Sequence, residues 1–168
     1  MILGLSTSAF TTLHVAISLA ALVSGAFVLF GLVGGRDAPA WTAVFLGSTI
    51  LTSVTGFFFH ATQLLPSHVL GILSLVVLAA AVAGLYLFHL AGAWRWIYVL
   101  GAVIAVYFNA FVAVVQAFQK IPALQPLAPT QSEPPFLVTQ LVVLVLFIVL
   151  GVLAVRRFHP ALTSPRPA

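Results

Sequence analysis

The sequence predicts an all-α, polytopic membrane protein: a bundle of five transmembrane helices with its N-terminus outside and its C-terminus in the cytoplasm. Three observations support this fold class. Of the 168 residues, 62% are hydrophobic and only 5% are charged, whereas soluble domains carry about 25% charged residues. Five apolar segments are long enough to cross a bilayer, and the arginines fall on one side of the topology that these segments define.

Each predicted helix is bounded by residues that interrupt an apolar run. A helix needs about 20 apolar residues to cross the hydrocarbon core. Five segments meet this requirement: residues 9–33, 40–63, 68–90, 95–119 and 136–156. Turn residues separate the first four, namely the charged turn before Pro39, Leu65-Pro66-Ser67 and Ala91-Gly92-Ala93. We expect residues 1–160 to form a single transmembrane bundle.

The longest connection, residues 121–135, contains five prolines. Proline lacks the amide hydrogen that a helix interior needs, and the segment is too polar to lie in lipid. It is therefore predicted to be a proline-rich loop on the outer side. Residues 161–168 are predicted to be a short cytoplasmic tail.

The basic residues orient the predicted bundle. One side carries five arginines and the other carries a single lysine. The arginines are Arg36, Arg95, Arg156, Arg157 and Arg166, and the lysine is Lys120. Because loops rich in lysine and arginine stay in the cytoplasm, the arginine side is predicted to be cytoplasmic.

Composition also excludes several classes of function. The chain has no cysteine, which excludes disulfides, thiolate metal sites and iron–sulfur clusters. No basic stripe with interleaved aromatic residues is present, so a nucleic-acid partner is not predicted. The expected partners are the lipid bilayer and other membrane-protein subunits.

Small and weakly polar residues recur at helical spacing and predict the faces that meet inside the bundle. The stripes are His14, Ser18, Ala21 and Gly25 in the first helix; Ser48, Thr52, Thr55, Gly56 and Gln63, with Thr49, Ser53, Gly56 and His60, in the second; and Tyr98, Ala102, Ala105, Asn109, Ala113, Gln116 and Lys120 in the fourth. Residues 141–150 of the fifth helix have no polar side. That helix is predicted to be peripheral or to dock against an equally apolar surface.

The topology gathers strongly polar side chains at the outer ends of helices one to four. They are His14, His60, Gln63, His68, Gln116 and Lys120, with Asn109 deeper in the membrane. Polar and ionisable groups inside a membrane are costly and generally face the interior. The sequence therefore predicts a candidate ligand-binding pocket there.

Several interpretations of this pocket remain open. His14 could hold a single b-type haem together with His60 or His68, because neutral imidazole ligates haem iron. The pocket could instead bind a quinone or a lipid, or its side chains could be satisfied by water, headgroups and the loop. No HExxH spacing occurs and no carboxylate lies at an outer helix end, so no other metal site is predicted.

Two polar residues, Asn109 and Glu133, each have two possible roles. Asn109 is expected either to form an interhelical hydrogen bond or to contact a substrate or quinone. Glu133, the only acid on the outer side, is expected to be either a solvated loop carboxylate or a group that folds over the pocket to pair with Lys120 or a histidine.

Several stretches, residues 41–43, 52–57, 64–68, 88–96 and 127–136, resemble a family of small, uncharacterised inner-membrane proteins of proteobacteria. The last, Leu-Ala-Pro-Thr-Gln-Ser-Glu-Pro-Pro-Phe, is the most specific. The resemblance implies a bacterial inner (plasma) membrane, with a periplasmic N-terminus, and a helical bundle. It implies no activity. Transmembrane b-type cytochromes are a looser comparison, but only His89 lies at the inner level near the bundle, so at most one haem would follow.

Three functions are consistent with these features. The first is a non-catalytic accessory or assembly component of a larger membrane complex, the second a haem- or quinone-binding redox protein, and the third a small transporter that acts as an oligomer. Paired acids, a nucleophile with its base and a metal triad are all absent from the pattern. No catalytic residue is predicted, and enzymatic activity is not favoured.

Overall fold

The structure is a computed structural model that describes residues 1–59 and 66–160. This part of the chain forms five α-helices: α1 (Thr7–Val33), α2 (Pro39–Gly56), α3 (Pro66–Val82), α4 (Ala93–Lys120) and α5 (Pro134–Arg157). A π-helical turn, Ala83–Leu87, continues α3, and a short 3-10 helix, Gln125–Leu127, lies in the proline-rich loop.

The second helix is shorter than its predicted extent. It ends at Gly56 rather than at residue 63. The amides of Phe57 and Phe58 donate to the carbonyls of Val54 and Thr55, so the last turn tightens from the α to the 3-10 pattern, as helix ends often do. The rest of the predicted segment, residues 60–63, lies outside the described residues.

Helices α1 and α2 pair antiparallel along most of their lengths. Trp41 stacks on Phe27 near the start of α2, with ring centroids 4.3 Å apart. Thr55, near the end of α2, contacts His14. The start of α2 thus contacts residue 27 of α1, and the end of α2 contacts residue 14. Helix α2 therefore runs antiparallel beside α1, from the last turns of α1 toward its first.

The first four helices form a ring in which each contacts the next, and α4 closes the ring against α1. Helix α5 lies outside the ring and contacts α1 and α4. This position agrees with the peripheral placement predicted for α5. The contact of α5 with α4 is expected from their order in the chain, whereas its contact with α1 is not.

Helices α1, α2 and α4 pack closely where they meet at Gly25. A Cβ atom added to Gly25 would lie 3.0 Å from the Phe45 ring and 3.0 Å from Val106. Phe45 and Ala105 are fully buried. Gly25 therefore lets three helices approach more closely than a side chain would permit.

At one end of the bundle the two last helices are joined by Arg95, in the first turn of α4. Its Nη1 donates to the carbonyls of Val155 and Phe158, at 3.0 and 2.6 Å. These carbonyls belong to the C-terminal turn of α5, where backbone acceptors lack partners within the helix. We call this end of the bundle, with Arg36, Arg95, Arg156 and Arg157, the arginine end.

Within the described residues, four helical segments are long and apolar enough to cross a membrane: Thr7–Val33, Ser67–Leu87, Ala93–Lys120 and Pro134–Arg157. Large apolar side chains remain exposed on these helices, which is the surface expected of a protein dissolved in lipid. The chain therefore has the architecture of a multi-pass helical membrane protein. Helix α2 does not meet the same criterion, since six of its 18 residues are serine or threonine.

Candidate functional site

His14 occupies the contact between α1 and α2 at the end opposite the arginines. Its Nδ1 lies 2.8 Å from the hydroxyl oxygen of Thr55. That hydroxyl donates its own hydrogen to the carbonyl of Leu51, at 2.7 Å. This arrangement favours the tautomer in which Nδ1 donates to Thr55 and the neutral ring keeps a lone pair on Nε2.

One aromatic ring, that of Phe59, packs against this imidazole. The edge of Phe59 meets His14 with the centroids 5.1 Å apart and the planes at 83°. Phe59 also packs against Phe10, which is almost completely buried. His14 itself is half-buried, so its ring is oriented on one side by a hydroxyl and on the other by an apolar ring.

His68 lies in the first turn of α3 and is placed differently. Its ring stacks on Phe57, with centroids 5.7 Å apart and planes inclined by 18°. Phe57 directly follows α2, two positions after Thr55, the partner of His14. The two histidines thus have different partners at the end of α2. His60 and Gln63, the other candidates from this level, lie outside the described residues.

A cleft of about 430 Å³ opens beside His68. Its described lining is Met1, Ile2, Leu3, Phe57, Phe58, Phe59 and His68. His14 is not part of that lining. The cleft is therefore an aromatic recess with one imidazole, formed between the N-terminal residues and the end of α2.

Deeper polar side chains are paired across the helix contacts. The Asn109 amide of α4 donates to Thr49, at 3.2 Å, which is the interhelical bond expected as one of its two roles. Ser53 donates to Ser74 of α3, at 3.2 Å.

Helix α2 supplies one partner of every such bond described here. Thr55 and Thr52 face His14 and Ser18 of α1, the second pair at a longer 3.4 Å. Its other two bonds reach α3 and α4. The hydroxyl groups of α2 therefore bond to both of its neighbours in the ring, α1 and α3, and across the ring to α4.

The remaining two candidates do not join this network. Gln116 and Lys120 are both exposed, whereas Tyr98, Ala102 and Ala105 of the same predicted stripe are buried. The predicted stripe of α4 thus faces the bundle interior in the first half of the helix and is exposed at Gln116 and Lys120.

The proline-rich loop folds back on the end of α4. The side chain of Gln131 donates to the carbonyl of Val115, at 3.4 Å. Ala128 is buried with Phe118 and Phe136, whose rings meet edge to face at 5.5 Å. A recess of about 250 Å³ remains between the loop and α4, lined by Phe118, Gln119, Gln125, Ala128, Pro129, Thr130 and Gln131.

Glu133 closes this loop on itself. One carboxylate oxygen accepts from the backbone amide and hydroxyl of Thr130, at 3.1 and 2.8 Å, and the other accepts from the amide of Ser132, at 3.1 Å. Loss of hydration raises the pKa of Glu133, but the combined effect of these hydrogen bonds in lowering it is larger. The pKa of Glu133 therefore lies below its ordinary value. Its carboxylate therefore organises the loop as an anion.

Two structural features had no clear signal in the sequence. Phe57 contacts His68, Phe59 contacts His14 and Phe58 packs on Phe10, and only the position of these three consecutive aromatic residues after Gly56 could have indicated a turn. Gln140 donates from α5 to the carbonyl of Phe111, while its buried Oε1 has no hydrogen-bond partner among the described residues. Nothing in its apolar surroundings predicted that contact.

Within residues 1–59 and 66–160, no group of three histidine or acidic side chains could hold a metal ion. No protein-family model, curated protein or solved structure matches this chain.

Proposed function

We propose that this chain is a non-catalytic accessory or assembly subunit of the bacterial inner membrane, which crosses the bilayer five times and packs one face of α5 on a larger membrane protein. The observation that carries this proposal is the set of hydrogen bonds from α2 to its neighbours. A catalytic or transport site needs polar groups directed toward a substrate. Here the imidazole, amide and hydroxyl groups are directed toward one another.

Such bonds hold a bundle together. Interhelical hydrogen bonds in membranes contribute about 0.6 kcal/mol each on average. Four of them distributed over α1, α3 and α4 favour one arrangement of the ring. Two of the polar residues that the sequence marks as candidates for a site, His14 and Asn109, thus have a structural use that requires no ligand.

Helix α5 offers the surface for a partner. Only Phe136, Gln140, Gly151 and Ala154 are buried along it. Its outward face is continuous and apolar, formed by Leu137, Val138, Leu141, Val142, Val145, Leu146, Ile148, Val149 and Val152. Packing between helices in lipid depends on close fit, so enlarging a side chain on this face should disturb a partner without disturbing solubility in the bilayer.

The proposal is tested by affinity purification after gentle solubilisation from the native membrane. We expect a partner at constant stoichiometry, and its recovery should fall about tenfold in Val145→Trp, about 1.4 kcal/mol of lost packing. Val23→Trp is the matched control, because Val23 is exposed to a similar extent on α1 (54% against 52%). A chain that is always recovered alone, or equal effects of the two substitutions, would contradict the proposal.

A second candidate is a protein that binds a single b-type haem or a quinone through His14 with His60 or His68. One observation favours it: Thr55 holds Nδ1 of His14 and leaves Nε2 with its lone pair. Metal-binding histidines are commonly oriented in this way by a hydrogen bond at the other ring nitrogen. A Soret band in the purified protein, lost in His14→Ala and retained in His89→Ala, would support haem. An absorption spectrum without that band removes the haem alternative.

A further inference from the structure

Two distant parts of the chain, the turn between α1 and α2 and the end of α5, meet at the arginine end. Gly35, in the turn between α1 and α2, approaches the end of α5 so closely that a Cβ atom added to it would lie 2.9 Å from the carbonyl oxygen of Arg157. Arg36 follows Gly35 directly, and Arg156 precedes Arg157. A topology signal needs only charges in the correct loops, whereas this contact brings arginines from two distant segments to one place.

The arginines of this group differ in what they bind. Arg95 is partly buried and bonds to the carbonyls of Val155 and Phe158. Arg36, Arg156 and Arg157 are exposed, and no hydrogen bond or ion pair is described for their guanidinium groups. They are therefore available to an external anion.

The charge balance at the two ends is unequal. Among the described residues, the arginine end carries four arginines and one acid, Asp37, a net charge of +3. At the opposite end, the positive charge of Lys120 and the negative charge of Glu133 cancel, and the terminal amine adds one further positive charge. Glu133 in turn is engaged by its own loop.

Aromatic side chains place the exposed arginines at the level of lipid headgroups. Trp41 stacks on Phe27 and remains 44% exposed. Trp94 stacks on Phe88 at the start of α4, with centroids 3.9 Å apart, and Trp96 is exposed beside it. Tryptophan collects at the boundary between hydrocarbon and headgroups, so Arg36 and Arg157 lie where phosphate groups are found.

From this juxtaposition we propose that Arg36 and Arg157, with Arg156 beside them, form a binding site for the phosphate headgroup of an anionic phospholipid. A guanidinium presents a planar fork of donors that matches two phosphate oxygens. Basic groups between helix ends on one side of a membrane protein recognise anionic headgroups by this chemistry. The acyl chains would lie along the apolar surfaces of α1 and α5 below the arginines.

The site is tested by native mass spectrometry of the protein in neutral detergent, titrated with phosphatidylglycerol, phosphatidylcholine or glycerol 3-phosphate. We expect phosphatidylglycerol to bind at least about tenfold more tightly than phosphatidylcholine. Each arginine removed should weaken its binding about fivefold, so Arg36→Gln with Arg157→Gln should lose about 25-fold. Lys120→Gln, which removes one positive charge at the opposite end, should change it less than about twofold.

Equal binding of the two lipids, or unchanged affinity in the double variant, overturns the proposal. Glycerol 3-phosphate that binds as tightly as phosphatidylglycerol also overturns it, because the site would then recognise a free phosphate. If the double variant does not fold, by circular dichroism and gel filtration, Arg36→Gln alone must show the fivefold loss, and its absence is decisive. These measurements involve no partner protein and stand apart from the accessory role.

Discussion

The hydrogen bond between Asn109 and Thr49 is the clearest case in which one residue ties two helices together. Thr49 is almost fully buried and receives the amide of Asn109 at 3.2 Å. Thr49 is buried and Asn109 is half-buried, so removing either side chain leaves the other without this bond.

A double-mutant cycle measures this bond. We expect Asn109→Leu and Thr49→Val each to destabilise the bundle, and the coupling between them to be about 0.6–1.7 kcal/mol, the range for interhelical bonds in a membrane. The measurement is reversible unfolding in mixed micelles, with Gln116→Leu as the control because Gln116 is exposed on the same helix. Additive effects of the two substitutions would show that the contact contributes nothing specific.

The same residues show what the sequence could predict of the candidate site. Spacing identified Thr49, Thr52, Ser53 and Thr55 as inward-facing positions of α2. It could not assign their partners, because periodicity defines a face of one helix and says nothing about which neighbour lies opposite. That His14 and His68 have different partners at the end of α2 follows only from the packing.

At the scale of the helices, Gly25 controls how closely α1 approaches α2 and α4. A methyl group there would meet Phe45 and Val106 at 3.0 Å each. Both neighbours are buried, so neither can move without displacing others. The glycine is thus a packing element rather than a flexible point in α1.

We expect Gly25→Ala to lower the free energy of unfolding by about 1–3 kcal/mol, the usual cost of an overpacked core. Gly47→Ala is the matched control, because Gly47 is also helical but has no atom within 4 Å of an added Cβ. That substitution should leave stability unchanged or raise it by up to about 1 kcal/mol. Thermal unfolding of both variants in the same detergent distinguishes them, and equal effects would refute the packing argument.

The helices were predictable where composition changes sharply and less so where geometry decides. Apolar runs flanked by charges or prolines marked α1, α4 and α5 to within a few residues. The end of α2 depends on a 3-10 turn after Gly56, and the end of α3 on a π-helical turn, Ala83–Leu87. Neither has a compositional signal, because the residues on both sides remain apolar. The arginines predict an orientation that stays a prediction, and they gave no indication of the bonds that Arg95 makes to the end of α5.

For the whole molecule, the decisive element is α2. Its 18 residues extend about 27 Å, slightly less than the hydrocarbon thickness, and six of them carry hydroxyl groups. Several hydroxyls bond to carbonyls one turn earlier, as in Ser48 to Val44 and Thr55 to Leu51. Other hydroxyls bond to other helices. These bonds reduce the free-energy cost of placing hydroxyl groups within a membrane. Because α2 runs beside α1 from residue 27 to residue 14, we expect both to cross together.

Cysteine labelling tests this topology directly, since the chain has no cysteine of its own. Asp37→Cys and Ser67→Cys place single thiols at exposed positions before and after α2. If α2 crosses, a membrane-impermeant maleimide labels Ser67→Cys in intact cells and Asp37→Cys only after the membrane is permeabilised. Gln125→Cys, in the proline-rich loop, should label from outside. Labelling of positions 37 and 67 from the same side would leave four spans and place both termini together, because a bundle with an even number of crossings cannot separate them.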